Sequence, residues 1–237
     1  MPTHTPIDPV PAPERLSSRP SMRDFFRRNL EFFVLALSYI TIGGLALFFI
    51  QKGDLVLELG LRRAEWSNAL FRLVTRMGEE PFWVGALILL LFVRIRYSLL
   101  LLATGLSTLA ITYGTKNYFL HDRPSAYFKN LGQDIEAIFV PGVEVWGKLS
   151  FPSGHSISAF ALYGTLAFVI QRKWWGLLCG LLAVGVAFSR VYLVQHFLQD
   201  TVAGAAIGLV AAIIMFWLST KVPEHMWLDR PIIRVRR

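Results

Sequence analysis

The chain has 237 residues, 54% of them hydrophobic and only 17% charged, too apolar a mixture for an ordinary soluble domain. Its formal net charge of +8 would suit a nucleic-acid binder only if the cations shared one polar face. They sit instead at the ends of apolar segments, which excludes nucleic acid as the partner and points to anionic lipid headgroups. The single cysteine, Cys179, lies in an apolar run and reads as a buried structural thiol.

Residues 1–28 form a basic tail rich in proline (Pro2, Pro6, Pro9, Pro11, Pro13, Pro20) with no cleavable signal. It is expected to be disordered up to the stretch Met22 to Arg28, which suits a membrane surface. A membrane span needs about 20 mainly apolar residues. Six segments approach that length: Leu30–Ile50, Pro81–Val93, Ser98–Thr115, Ile157–Ile170, Trp174–Phe188 and Thr201–Leu218. The second is short, and snorkelling of Arg94 and Arg96 would extend it. Between the first two, Leu55, Leu59, Trp66, Leu70, Phe71 and Val74 recur at near-helical spacing among arginines, the pattern of one or two amphipathic interfacial helices. Trp66, Trp83, Trp174, Trp175, Trp217 and Trp227 read as interface anchors.

The expected fold is therefore an all-α integral membrane protein of six transmembrane helices plus an amphipathic segment. A domain at 29–220 is flanked by basic tails at 1–28 and 221–237. Placing both termini in the cytoplasm puts fourteen of the 24 Lys and Arg residues inside, in keeping with the positive-inside rule. Segments 116–156 and 189–200 then emerge together on the opposite face.

Those two segments carry three polar clusters: Lys116 with Arg123-Pro124, Pro152-Ser153-Gly154-His155, and Ser189-Arg190 with His196 and Asp200. A phosphate in reaction spreads negative charge over its oxygens and needs cations and oriented donors around it. Lys116, Arg123 and Arg190 supply the cations, and the loop-to-helix step at Ser153-Gly154-His155 supplies backbone N–H groups. Ser189 is a further candidate for phosphate contact or for holding Arg190. His196 and Asp200, four residues apart, would share a helix face, so that the carboxylate takes the Nδ1 proton and Nε2 attacks phosphorus. His155 is then left as general acid for the leaving oxygen and as base for the water that follows. No carboxylate or histidine cluster has the spacing of a metal pair, and no cofactor is implied. His121 and Asp122 add nothing that this scheme lacks.

The three clusters, Lys116-x6-Arg123-Pro124, Pro152-Ser153-Gly154-His155 and Ser189-Arg190-x5-His196-x3-Asp200, resemble the signature motifs of the type 2 phosphatidic acid phosphatase superfamily. Every motif position matches, and the resemblance covers about residues 30–220. It implies a six-helix lipid phosphatase with His196 as nucleophile and His155 as acid. Its substrates include phosphatidylglycerol phosphate, undecaprenyl diphosphate, phosphatidic acid and lipid A. An envelope lipid of the first two kinds is favoured, with lipid A 1-phosphate as rival, and neither an obligate protein partner nor nucleic acid is implied. A lipid-phosphate binding or transport protein would need the cations but not both histidines. A phosphotransferase would use the whole pocket with another acceptor, and vanadate-dependent halide oxidation fits poorly with six spans.

Overall fold

The computed structural model describes residues 21–232; residues 1–20 of the tail expected at 1–28, and the last five residues, lie outside that range. The described residues form ten α-helices and no strand. In order they are α1 (Met22–Arg28), α2 (Leu30–Ala46), α3 (Asp54–Leu61), α4 (Glu65–Arg76), α5 (Glu80–Leu91), α6 (Ile95–Phe119), α7 (Pro124–Asn130), α8 (Gly154–Ile170), α9 (Lys173–Tyr192) and α10 (Leu198–Lys221). Each of the six apolar segments is helical, as α2, α5, α6, α8, α9 and α10. Of these, α6, α9 and α10 are long and apolar enough to cross a membrane on their own. The α1–α2 pair, bent by 83°, makes a fourth if taken as one broken span, while α5 and α8 are shorter apolar helices. Large apolar side chains stay exposed along the outside, among them Leu45, Leu89, Leu106, Leu109, Trp174 and Leu181, a surface suited to lipid rather than water.

The central helix is α8, which is apolar around its whole circumference and buried along most of its length, as such a helix must be. It packs against α10, α9 and α6, while α2 covers α9 and α10, and α5 lies outside on α6. Glycines bring α8 and α10 together. A Cβ at Gly204 would stand 2.7 Å from the Ser153 carbonyl oxygen, and one at Gly208 only 2.4 Å from that of Ile157. This spacing of small residues, four apart, lets two helix backbones approach closely.

The α1 helix does more than rest on a surface. Phe25 is fully buried, stacked 4.9 Å from Phe216 and packed edge-on at 4.9 Å against Phe168. The bend falls at Asn29, whose Nδ2 donates to the Phe25 carbonyl at 2.9 Å. Two helices, α3 and α4, form the amphipathic segment. Trp66, Leu70 and Leu73 of α4 face outward, whereas Ser67 hydrogen-bonds the Tyr192 hydroxyl at 2.7 Å. The side of α4 that meets protein is mixed, with Phe71 packed near Tyr192 and Val74 on the core beside Ser67 and Thr75, while part of its apolar surface faces out.

Two side chains expected at the membrane interface have other work. Trp83 packs on Gly105 and donates its indole N–H to Ser158 Oγ at 2.7 Å, which in turn donates to the Gly78 carbonyl. Arg96, at the α5–α6 turn, holds the segment after α10. Its guanidinium grips both Asp229 oxygens at 2.7 and 2.8 Å and also donates to the carbonyls of Val222 and Pro223. Backbone bonds from Ile95, Arg96 and Ile232 complete this strap, and the Arg96 bonds hold the Asp229 carboxyl at about 2.

Candidate active site

Helix directions alternate, so the C-terminal ends of α6 and α9 meet the N-terminal ends of α8 and α10. Lys116, His155, Arg190 and Asp200 therefore gather at one end of the bundle, with Arg123 and His196 in the adjoining loops. Six of the residues singled out in the sequence meet here because of that antiparallel order.

His196 is 1% exposed, and it precedes α10 rather than lying on it. The expected shared helix face is thus replaced by an N-terminal turn. Asp200 sits in the first turn of α10, and its Oδ2 accepts the Phe197 backbone N–H at 3.0 Å, as an acidic residue at that position does when it reaches back over the helix start. The same oxygen lies 3.4 Å from His196 Nδ1 and accepts the Ser150 hydroxyl at 2.6 Å. The loop is bent back by Val194, a β-branched residue at φ +60°, which L side chains rarely adopt. That bend lets the N–H groups of Gln195 and His196 both donate to the Arg190 carbonyl, at 2.9 and 3.1 Å.

Burial, followed by the charges of Arg123 and Arg190, pushes the His196 imidazole from an ordinary 6.5 down to about 3, against the opposing pull of Asp200. That shift favours the neutral ring, the form that could act as a nucleophile. The same shift sets a stability slope. Between about 6.5 and about 3 the unfolded chain binds a proton that the folded chain refuses. This contribution is therefore whole above 6.5 and lost as pH falls, by up to ~1.4 kcal/mol per pH unit. The melting temperature in detergent should drop on acidification from about pH 7 to about pH 4, and His196→Gln should flatten that slope. An unchanged slope would assign it to other groups.

The cations surround this pair. Arg123 Nε donates to the Lys148 carbonyl at 2.9 Å, and Nη1 to Gln195 Oε1 at 3.2 Å. Arg190 is 7% exposed; its Nη1 donates to Thr75 Oγ1 at 2.7 Å, and its Nε is buried without a partner. Lys116 feels the charges of both arginines and of Asp200. Ser153 caps α8, accepting from the Ser156 hydroxyl at 3.0 Å, while the N–H groups of Gly154 and His155 make no backbone bond among the described residues. Gly154 has a second use beyond ligand approach: its would-be Cβ lies 3.7 Å from Lys116 Nζ and 3.2 Å from Thr112, so the glycine makes room for the ammonium. Ser189 is not brought to the pocket. Its hydroxyl donates to the Val186 carbonyl of its own helix at 2.6 Å, which commits its proton.

Four neighbours were not legible as site residues. Ser150 and Gln195 orient Asp200 and Arg123, and Thr75 fixes Arg190. Glu79, which precedes the apolar run of α5, places Oε1 3.6 Å from His155 Nε2. Its charge at the edge of an apolar run was the available signal. His121 and Asp122 serve structure, accepting from Ser150 N and from Asn130 Nδ2.

Two hollows meet at His155 and Glu79. One, of about 610 Å³, is an apolar cleft between α5, α6 and α8, lined by Trp83, Leu87, Leu102, Leu106 and Leu109. The other, of about 360 Å³, is polar and lies toward α4 and Arg190. His196 lines neither, while Arg190 and Gln195, joined to it by the backbone bonds of the turn, line the polar one.

Comparison with known proteins identifies the fold and the family. The crystal structure of Aquifex aeolicus LpxE shares the fold, with a TM-score of 0.59 at 22% identity, covering 70% of this chain and 94% of that one. Phosphatidylglycerophosphatase B of Bacillus subtilis is 26% identical over 163 residues, 63% of this chain and 74% of the relative. A lipid A 4'-phosphatase of Bacteroides thetaiotaomicron is 29% identical over 86 residues, 36% of this chain and 38% of the relative. The putative undecaprenyl-diphosphatase YbjG of Escherichia coli is 32% identical over 107 residues, 45% of this chain and 48% of the relative. These last two matches span less than half of each relative. The profile of the PAP2 superfamily matches residues 96–224, more than half of the chain and all three polar clusters, and the chain belongs to that superfamily.

Proposed function

We propose that this chain is a six-span membrane phosphatase that hydrolyses a lipid phosphate through a phosphohistidine, without a metal, at the non-cytoplasmic face. The observation that carries the reading is the gathering of three cations, two of them arginines, around the buried His196–Asp200 pair, with His155 near enough to feel all three cations and His196. Like charges packed together out of water repel, and an anion among them recovers that cost. Lys116, Arg123, Arg190 and the first-turn N–H groups of α8 hold the non-bridging oxygens; Ser153 can add its hydroxyl proton.

His196 Nε2 attacks phosphorus while Asp200 and Ser150 keep the proton on Nδ1. The bond from phosphorus to the leaving oxygen breaks, and His155 gives that oxygen its proton. Water then attacks the phosphohistidine, His155 takes the water proton, and inorganic phosphate leaves with His196 restored. Glu79 steadies the charged form of His155 through both steps. The apolar cleft ending at His155 supports a lipid leaving group. The names of the relatives, which concern phosphatidylglycerophosphate, lipid A and undecaprenyl diphosphate, support an envelope lipid. The excess of Lys and Arg on the side away from the site supports cytoplasmic termini and a domain spanning about 29–220.

The test is phosphate release by purified protein in detergent across a panel of lipid phosphates, with chelator and with vanadate. Release from at least one lipid is expected, unaffected by chelator and inhibited by vanadate, which mimics pentacoordinate phosphorus. Loss of release in chelator would end the metal-free reading. Tight binding of lipid phosphates with no release from any would instead favour a binding or transport protein.

A further inference from the structure

The proposed reaction leaves one wall of the polar hollow unused. Arg72, Thr75, Arg76 and Glu79 all border it, at spacings of three and four that place them along one side of α4 and its C-terminal extension. The exposed apolar residues Trp66, Leu70 and Leu73 lie on another side of the helix. The two arginines are therefore turned toward the hollow, where a lipid-facing anchor would have pointed along the apolar side.

This wall is fixed in place. Thr75 accepts from Arg190 at 2.7 Å, tying α4 to the phosphate-binding cations. Arg72 Nη1 donates to the Pro141 carbonyl at 3.0 Å, which uses one of its five N–H groups. The Arg76 guanidinium makes no hydrogen bond or ion pair among the described residues, and the buried Nε of Arg190 has no partner. Three guanidinium groups thus border a space of about 360 Å³. Two carboxylates also border it: Glu79, already beside His155, and Glu144.

We propose that this hollow binds a second phosphate carried by the leaving group, so that Arg76 and Arg72 select lipid phosphates whose leaving group is itself phosphorylated. The proposal rests on the phosphatase reading and names its substrate class. His155 borders both hollows, so a leaving group that carries its own phosphate can place that phosphate among the arginines and its lipid part in the apolar cleft. Planar forks suit phosphate oxygens in pairs. A lipid diphosphate and a phosphate monoester on a phosphodiester headgroup share this chemistry; a monophosphate on a neutral alcohol does not.

The experiment measures kcat/KM of the full chain in detergent for farnesyl diphosphate, phosphatidylglycerol phosphate and phosphatidic acid, whose leaving group has no phosphate. Wild type, Arg76→Gln, Arg72→Gln and the double variant are compared. Losing a charge-assisted contact is worth about tenfold or more. The double variant is expected to lose at least about tenfold more on one of the first two substrates than on phosphatidic acid, and the substrate that responds tells diphosphate from phosphodiester. Turnover of phosphatidic acid in the same preparation reports that the variant is folded. An equal loss on all three substrates, or no loss on any, overturns the proposal. Wild-type release from none of them would be a different failure, of the phosphatase reading itself.

Discussion

Replacing His196 with alanine is expected to bring phosphate release to background, a loss of about 10⁴-fold or more, since the proposed mechanism gives the covalent step to no other group. Asp200→Asn should cost about 10²–10⁴-fold while the fold survives. The amide keeps the shape of the carboxylate, but it can no longer compel the proton onto His196 Nδ1. Ser150→Ala should cost far less, because Asp200 Oδ2 keeps its bonds to Phe197 N–H and to His196. Single-turnover assays with radiolabelled substrate would separate the three. His196→Ala should show no phosphoryl-enzyme, Asp200→Asn should show slow formation, and Ser150→Ala should show near-normal formation. A His196→Ala variant that still turns over would transfer the nucleophile's role elsewhere.

The second large effect is expected far from any charge. Gly208→Ala would set a methyl group 2.4 Å from the Ile157 carbonyl, and Gly204→Ala would set one 2.7 Å from that of Ser153. Neither obstacle is the end of a flexible side chain; both are backbone of α8, so the helices must separate. Such overpacking typically costs about 1–3 kcal/mol. The catalytic penalty should be larger than the stability penalty, because α8 begins at the Gly154–His155 donors and α10 begins at Asp200. Moving one helix relative to the other by about 1 Å can cost ~10²-fold. Thermal unfolding and kcat measured on the same preparations would show it, and a Gly208→Ala enzyme with normal kcat would mean that the interface relaxes without disturbing the site.

The helices were legible because lipid-facing and buried segments both read as apolar runs, so their existence did not depend on knowing the packing. Their ends were less so. α9 continues through Ser189 and Arg190 to Tyr192, since a charged residue that ends an apolar run need not end the helix. The placement of Phe25 in the core was hidden because one aromatic ring in a basic segment carries no period. The candidate site was legible because each motif held a charge or histidine at the edge of an apolar segment, where such groups are costly. Ser150, Thr75 and Glu79 were not, because their partners lie 50, 115 and 76 positions away, and nothing in linear spacing couples a hydroxyl to a carboxylate at that range. The His196–Asp200 pair was found for the wrong local reason: four residues apart suggested a helix face, whereas a tight turn at the helix start makes the contact.

The strap that Arg96 holds across the α5–α6 turn has a mechanical consequence. These two helices form one wall of the apolar cleft, and their free ends, at Glu79 and Lys116, stand beside the reacting groups. The strap pins the closed end of this hairpin to the last helix. The wall therefore behaves as a pair of tweezers with a fixed heel, able to part only at the tips, where the proposed lipid substrate would enter sideways. A fusion or truncation near Asp229 would loosen the heel, and its influence would be felt at the opposite end of the bundle.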